Sequence, residues 1–284
     1  MGKQTALDLS VIILARDAAE TIGEAVSSAR GLGRILVIDS GSRDETVDIA
    51  RKAGAEIVER EWPGYAAQRQ WAIDNVKSEW ILFLDADEAL TPELAREIGE
   101  LQPGPWNGFR IPRRNQFLGE WISHGTWGRD TVLRLFRRSQ AEVPPRAIHE
   151  TVEVAGRVGR LEHPLLHFAQ NDFRTIAEKL SEYVTPMAEE ILKKKGSGNI
   201  STATLMLRPA AAFFKDYVIH AGFLDGWRGF VLAFWQAASV LAKYAEARRL
   251  IEWNAKSAFE GVTPLRRVSR PLQEARKIKR TIGS

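Results

Sequence analysis

The chain has 284 residues, no cysteine, and 40 lysines and arginines against 36 aspartates and glutamates, for a formal net charge of +4. The missing cysteines exclude disulfides, thiolate zinc sites and a cysteine nucleophile, and they fit a reducing, cytoplasmic setting. With 44% hydrophobic and 27% charged residues, disorder is not indicated and one large domain, or one domain with an extension, is expected.

Met1 to Leu9 carries no hydrophobic signal region. Leu9 to Leu14 is a continuous, β-branched apolar run and reads as a first buried strand, followed by the turn Ala15-Arg16-Asp17. Ile22, Ala25, Val26 and Ala29 have helical spacing within Thr21 to Ala29. Arg34 to Ile38 is a second strand that ends on Asp39, and Ser40 to Asp44 turns into a helix over Glu45 to Ala53 with Asp44 as N-cap. Glu56 to Val58 is a short third strand, Pro63-Gly64 a turn, and Ala66 to Val76 a helix.

Trp80-Ile81-Leu82-Phe83-Leu84 then runs into Asp85-Ala86-Asp87-Glu88, so five apolar residues stop at three carboxylates within four positions. An unpaired buried carboxylate costs several kcal/mol or takes up a proton, so these acids belong at the strand's carboxyl end. Paired oxygen donors in an Asp-x-Asp suit Mg²⁺ or Mn²⁺ carrying a phosphate group. The competing reading makes the acids caps of the helix that begins near Thr91-Pro92-Glu93. Strands alternating with helices predict an α/β fold: a mostly parallel, Rossmann-like sheet with helices on both faces. Right-handed crossovers bring Ala15, Asp39 and Asp85–Asp87 to one sheet edge.

Beyond this point the pattern loosens. Phe109 to Asn115 contains Pro112 and reads as an edge strand or a loop. Gly119 to Asp130, with Trp121, His124 and Trp127, has the composition of a substrate-facing loop in which the tryptophans stack on a sugar or simply pack. Thr131 to Arg137 alternates as a strand, which puts Arg134 and Arg138 on one face and Arg137 on the other. Ala147 to Val152 is strand-like, Phe173 to Lys195 is helical, and Gly196-Ser197-Gly198 marks a boundary between a domain at 1–196 and a helical extension at 197–284. The longest apolar stretch, Phe230 to Leu241, is broken by Gln236 and Ser239 and falls short of the ~20 residues a membrane span needs. From Arg266 to Arg280, seven basic residues face the single acid Glu274.

Three motifs together resemble the family-2 glycosyltransferases of GT-A fold: Ser10 to Asp17 (Ser-Val-Ile-Ile-Leu-Ala-Arg-Asp), Ile35 to Thr46 (Ile-Leu-Val-Ile-Asp-Ser-Gly-Ser-Arg-Asp-Glu-Thr), and Trp80 to Glu88. Arg134 to Arg138, Ile148 to Val152 and Gly222 to Gly229 narrow the likeness to the branch of the lipopolysaccharide core β-1,4-glucosyltransferases. The resemblance implies a metal-dependent inverting transfer of a hexose, from UDP-glucose, to a saccharide or glycolipid acceptor. It makes Asp39 the acceptor for a nucleobase N–H, and Asp85 and Asp87 the ribose and metal carboxylates. Ala15, Arg16 and Arg69 border the nucleotide. Glu150 is the general base with His149 as its rival. His167 is either a third metal ligand or diphosphate contact, or a core histidine.

Other acceptors (a polyprenyl-linked sugar, a protein), nucleotidyl transfer and a non-catalytic membrane-associated binding protein are the alternatives. Phe223, Trp227, Phe230, Phe234 and Trp235, with the basic tail, either meet an anionic membrane interface or pack against the domain or a second subunit in a homo-oligomer. Nucleic-acid binding is not expected, because the basic tail lacks interleaved aromatics or a recognisable module.

Overall fold

Strand β1 (Leu9–Ala15) is buried at every position, as its unbroken apolar run requires of a strand covered on both faces. In the computed structural model, which describes residues 7–144, 152–168, 173–195 and 200–260, β1 lies between β2 (Arg34–Asp39) and β4 (Trp80–Asp85), parallel to both. Strand β3 (Glu56–Glu59) pairs parallel with β2, which gives the order β3-β2-β1-β4. Alternate β1 side chains divide between two cores. Val11 and Ile13 pack with α1 (Ile22–Ser28), α2 (Thr46–Lys52) and α4 (Pro92–Gly99), through Ile22, Val26, Ala50, Leu94 and Ile98. Ile12 and Leu14 face α3 (Tyr65–Asn75) through Ala72 and Ile73. Ile12 and Ile13 are fully buried, and truncating either to alanine costs about 2–5 kcal/mol. Register pairs Ala15 with Asp39 and Leu14 with Asp85, so the three strand ends share one sheet edge as expected.

Past β4 the sheet changes character. Strand β5 (Glu88–Leu90) follows almost at once, and α4 is capped by Thr91, whose hydroxyl accepts from the Leu94 N–H at 3.2 Å. The acids of the Asp-x-Asp are therefore not that helix's caps.

Strand β6 (Gly108–Phe117) runs antiparallel to β8 (Thr131–Arg137), which itself runs antiparallel beside β4. The edge-strand reading of Phe109 to Asn115 is corrected here, since β6 has neighbours on both sides. It bonds to β11 (Val158–Arg160) at Gly108–Arg110 and to β12 (Leu165–His167) at Arg113–Asn115. Pro112 falls in the gap between these two partners, where its missing N–H interrupts no ladder.

The segment read as a substrate loop contains strand β7 (Glu120–Ile122) and a 3₁₀ turn at Trp127–Arg129. Strands β9 (Ala141–Glu142) and β10 (Glu153–Val154) form a separate antiparallel pair. The strand-like segment from Ala147 lies outside the described residues up to 151, and Val152 beyond it is buried.

Helix α5 (Phe173–Lys195) spans the range its period predicts. Helix α6 (Thr202–Phe214), capped by the Ser201 hydroxyl, leads through a π-helical turn at Lys215–Ile219 and a 3₁₀ turn at Gly222–Asp225 into α7 (Gly226–Glu260). A β-carbon at Gly229 would stand 1.8 Å from the Gly222 carbonyl oxygen, and Gly226 has φ +62°. The Gly222–Gly229 motif thus makes a tight corner that no larger residue fits. Ala188 of α5 shares a core with Val240, Tyr244 and Ala247 of α7.

Candidate active site

The carboxyl ends of β1 and β4 open on a cleft of about 940 Å³ lined by Ala15, Arg16, Tyr65, Asp85, Asp87 and His167 among others. Its first rim is built from backbone. Asp39 is 2% exposed and stands behind the cleft wall. Its Oδ2 accepts from the N–H groups of Gly41 and Ser42, both at 3.0 Å, and its Oδ1 from the Ser42 hydroxyl. Asp17, with φ +48°, accepts from the Arg43 N–H at 2.8 Å, and its own N–H donates to Ser42 Oγ at 2.9 Å. Asp44 Oδ2 accepts from Ala19 N–H, and Oδ1 from Thr46 N–H at the start of α2; the N-cap position itself is Glu45, one residue later than the sequence reading placed it, and its side chain makes no cap bond. These reciprocal bonds lock the two strand-end turns together, while Arg16 stays exposed at the cleft.

The second rim is built from buried charge. Asp85 Oδ1 accepts from Arg69 Nη2 at 2.9 Å and Oδ2 from Arg134. Glu88, fully buried, accepts from Arg134 Nη2 at 2.7 Å and Arg113 Nη1 at 3.0 Å on Oε1, and from the Asp85 N–H at 3.0 Å on Oε2. Arg113 also pairs with Asp130. Three guanidiniums thus face three carboxylates, which is how buried charge is tolerated. Burial alone would raise the Asp85 pKa, but Arg134 and Arg69 outweigh it and hold the carboxyl below the usual carboxylate range. Burial would likewise lower Arg134, and Asp85 and Glu88 push it up instead. Asp85 is therefore a fixed anion whose two oxygens already hold cations.

Asp87 differs. Its side chain is 43% exposed, and the nearest partner is His167 Nε2, 3.6 Å from Oδ2. The tautomer of His167 follows from Asn115. The Asn115 Nδ2 donates to the Trp127 carbonyl at 3.0 Å and to Asp130 Oδ2 at 3.3 Å, so its Oδ1 is left as acceptor, 2.7 Å from His167 Nδ1. His167 Nδ1 then carries a proton, and in the neutral imidazole Nε2 presents a lone pair toward Asp87. A lone pair and a carboxylate aimed at each other fit a cation between them. Among the described residues no group of three or more His, Asp or Glu side chains gathers into a site that could hold a metal by itself. Two protein donors suffice for Mg²⁺, which keeps waters and takes its remaining ligands from substrate phosphates.

The residues singled out in the sequence do not all meet. Ala15, Arg16, Asp85, Asp87 and His167 line one cleft, while Asp39 and Arg69 stand behind it. Glu150 and His149 lie outside the described residues. Trp127 packs on Phe117, with ring centroids 5.6 Å apart, and Trp121 on Phe168 at 5.8 Å. Sequence reading missed Glu88, Arg113, Asn115 and Asp130 as site residues. The one available signal was the third carboxylate of the Asp85–Glu88 run; a paired arginine from a distant strand leaves no local trace.

Residues 10–151 match the model of glycosyl transferase family 2. The chain is a family 2 glycosyltransferase. The enzyme is 28% identical over 264 residues to an uncharacterized glycosyltransferase of Rickettsia bellii, covering 85% of this chain and 86% of the relative. It is 27% identical over 255 residues to the lipopolysaccharide core biosynthesis glycosyltransferase LpsC of Rhizobium meliloti, covering 84% of this chain and 94% of LpsC. In fold it resembles the mannosyltransferase PcManGT of Pyrobaculum calidifontis, a structure solved in complex with GDP-Man and Mn²⁺. That match has a TM-score of 0.53 at 14% identity and covers 86% of this chain and 89% of that one. The glycosyltransferase therefore has the GT-A fold expected of its motifs, with a helical region at its carboxyl end.

Proposed function

We propose that this glycosyltransferase moves a hexose from UDP-glucose to a saccharide or glycolipid acceptor of the bacterial envelope, of the lipopolysaccharide core class, with inversion at the anomeric carbon. The observation that carries the reading is the placement of exposed Asp87 3.6 Å from His167 Nε2, in a cleft at the carboxyl ends of parallel strands, where open α/β sheets bind nucleotides. The relative named for lipopolysaccharide core biosynthesis supports the acceptor class.

In this reading Asp87 and His167 hold Mg²⁺ or Mn²⁺, which when bound neutralises the departing diphosphate. Asp85, kept ionised by Arg69 and Arg134, orients the ribose or the ion's water shell. Asp39 sets the turn beneath the nucleobase and offers it a carboxylate, and Ala15 and Arg16 border the nucleotide. Glu150 takes the proton from the attacking hydroxyl, with His149 as the alternative base. Residues 1–196 carry this chemistry and 197–284 the helical extension. A peripheral contact of that extension with a membrane, bringing a glycolipid acceptor within reach, belongs to the same reading.

Calorimetric titration with UDP, with and without Mn²⁺, tests the proposal. GDP must stand beside it, because the mannosyltransferase of like fold holds GDP-Man; CDP and TDP complete the set. Binding that needs the metal and favours UDP supports the reading. No nucleotide binding at all would sink the assignments of Asp39 and Asp87.

A further inference from the structure

The carboxy-terminal hairpin leaves unusually large apolar side chains uncovered. On α6 and its π-helical continuation, Leu207, Phe214 and Val218 recur at i, i+7 and i+11. On α7, Trp227, Phe230, Phe234 and Leu241 recur at i, i+3, i+7 and i+14. Each set is a single stripe along its helix. Phe223 and Leu224 of the 3₁₀ turn join them, and all nine side chains are 45–68% exposed. The stripes meet at Tyr217, whose ring contacts those of both Phe223 and Phe230, with centroids 6.2 and 5.7 Å apart. The packed residues of α7, Ala233, Val240, Tyr244 and Ala247, form a second stripe beside this one. Phe230 turns its ring edge to Phe213 of α6, with centroids 5.7 Å apart, while the remaining side chains of the stripe stay uncovered. A contiguous apolar surface of this kind on a folded domain marks an interaction site.

Charge decides between occupants. From Ile200 to Tyr244 there are four basic residues (Arg208, Lys215, Arg228, Lys243) and only two acids, Asp216 and Asp225. Both acids are spent inward. Asp216 is 5% exposed and accepts from the Thr126 N–H and hydroxyl, each at 2.5 Å. Asp225 accepts from His124 N–H at 2.8 Å and faces His124 Nδ1 at 3.0 Å. Arg228 also bonds inward, to the Leu118 carbonyl, so what faces solvent is apolar with a basic fringe that includes the exposed Arg208 and Lys215. A second copy packed on this surface would set basic fringe against basic fringe, whereas an anionic bilayer complements both components.

No helix among the described residues is long and apolar enough to cross a membrane, and a surface contact needs none. We infer that the α6–α7 hairpin docks this enzyme on an anionic lipid bilayer by inserting the Leu224–Phe234 stretch of its apolar face. The inference rests on the glycolipid branch of the proposed function and deepens it. The same two aspartates that free the face of negative charge fasten the 123–126 segment. That segment leads to Trp127, whose carbonyl orients Asn115 and so His167. The docked face and the cleft are consequently joined by one hydrogen-bonded path.

The test is co-sedimentation of the full chain with vesicles of phosphatidylcholine alone and of phosphatidylcholine mixed with phosphatidylglycerol. It is repeated with the triple variant Leu224→Ser, Trp227→Ser, Phe234→Ser, which keeps every basic residue. The wild type should partition onto the mixed vesicles, with a blue shift of tryptophan emission, and the variant should partition at least about tenfold less. Calorimetric affinity for UDP should be the same in both, which shows the fold intact and separates failure of docking from failure of the nucleotide reading. Equal partitioning of variant and wild type would overturn the inference by leaving only the charged tail at work. So would a wild-type dimer in light scattering that the variant converts to monomer, with no vesicle binding, since the face would then belong to a second copy.

Discussion

Asp39 and Asp85 end neighbouring strands on the two sides of β1, and the molecule keeps their carboxylates in opposite ways. Asp39 is held by backbone N–H groups and a hydroxyl no more than three positions away. Asp85 is held by guanidiniums 16 and 49 positions away, and one of these, Arg134, also serves Glu88. A turn-held carboxylate is nearly self-sufficient, because its donors come with the chain's own bend. A guanidinium-held one depends on the whole sheet being assembled, and its removal strands charges that were buried on its account. The rim that carries the proposed chemistry is therefore also the electrostatically expensive one.

Substitutions can break this contrast. The largest effect should come from Asp87→Ala, which removes the only cleft carboxylate of the Asp-x-Asp not already bound by arginine; turnover falls to background and Mn²⁺-dependent UDP binding weakens in calorimetry. Full activity in that variant would end the metal assignment. Glu88→Ala should cost about 3–5 kcal/mol in denaturant unfolding, since Arg113 and Arg134 lose a buried partner. Glu150→Gln should keep donor affinity and lower kcat by ~10²-fold, the scale of a lost general base; near-normal turnover would pass the role to His149. Asp39→Asn, which leaves an oxygen for the Gly41 and Ser42 N–H groups, should cost only about 1 kcal/mol of stability. Equal losses for Glu88→Ala and Asp39→Asn would erase the distinction between the rims.

Acid sharpens the contrast more gently. The Asp85 carboxyl titrates below its ordinary value of 3.8 in the folded state. Its contribution to stability is thus fully present above that value and is lost as pH falls further. Acid unfolding should be shallow down to about pH 4 and steepen below it, and Arg134→Leu should flatten the steep part.

Much of the fold was legible because its signals are local. The buried runs of β1, β2 and β4, the helical period of α5 and the acids at strand ends each sit within a few residues of what they specify. The reading went astray at Pro112, where a rule about edge strands met an interior strand whose two partners leave a gap at that residue. It also stopped short of Glu88, one residue past the Asp-x-Asp, because a buried glutamate and an exposed one look alike in sequence. Nor could the sequence show that the loop at 119–130, read as substrate-facing, is fastened to the carboxy-terminal turns by Asp216 and Asp225, 90 and about 101 positions on.

By itself the sequence determined the strands, the helices and the gathering of Ala15, Asp39 and Asp85 at one edge, since periodicity, turn chemistry and crossover handedness act over short spans. Only the tertiary structure decided which arginine meets which acid. It also decided that Asn115 selects the His167 tautomer across 52 positions, and that Trp227, Phe230 and Phe234 of α7 are exposed while Trp235 and Tyr244 pack inward. These pairings depend on distances between strands and helices far apart in the chain, and no nearest-neighbour pattern encodes them.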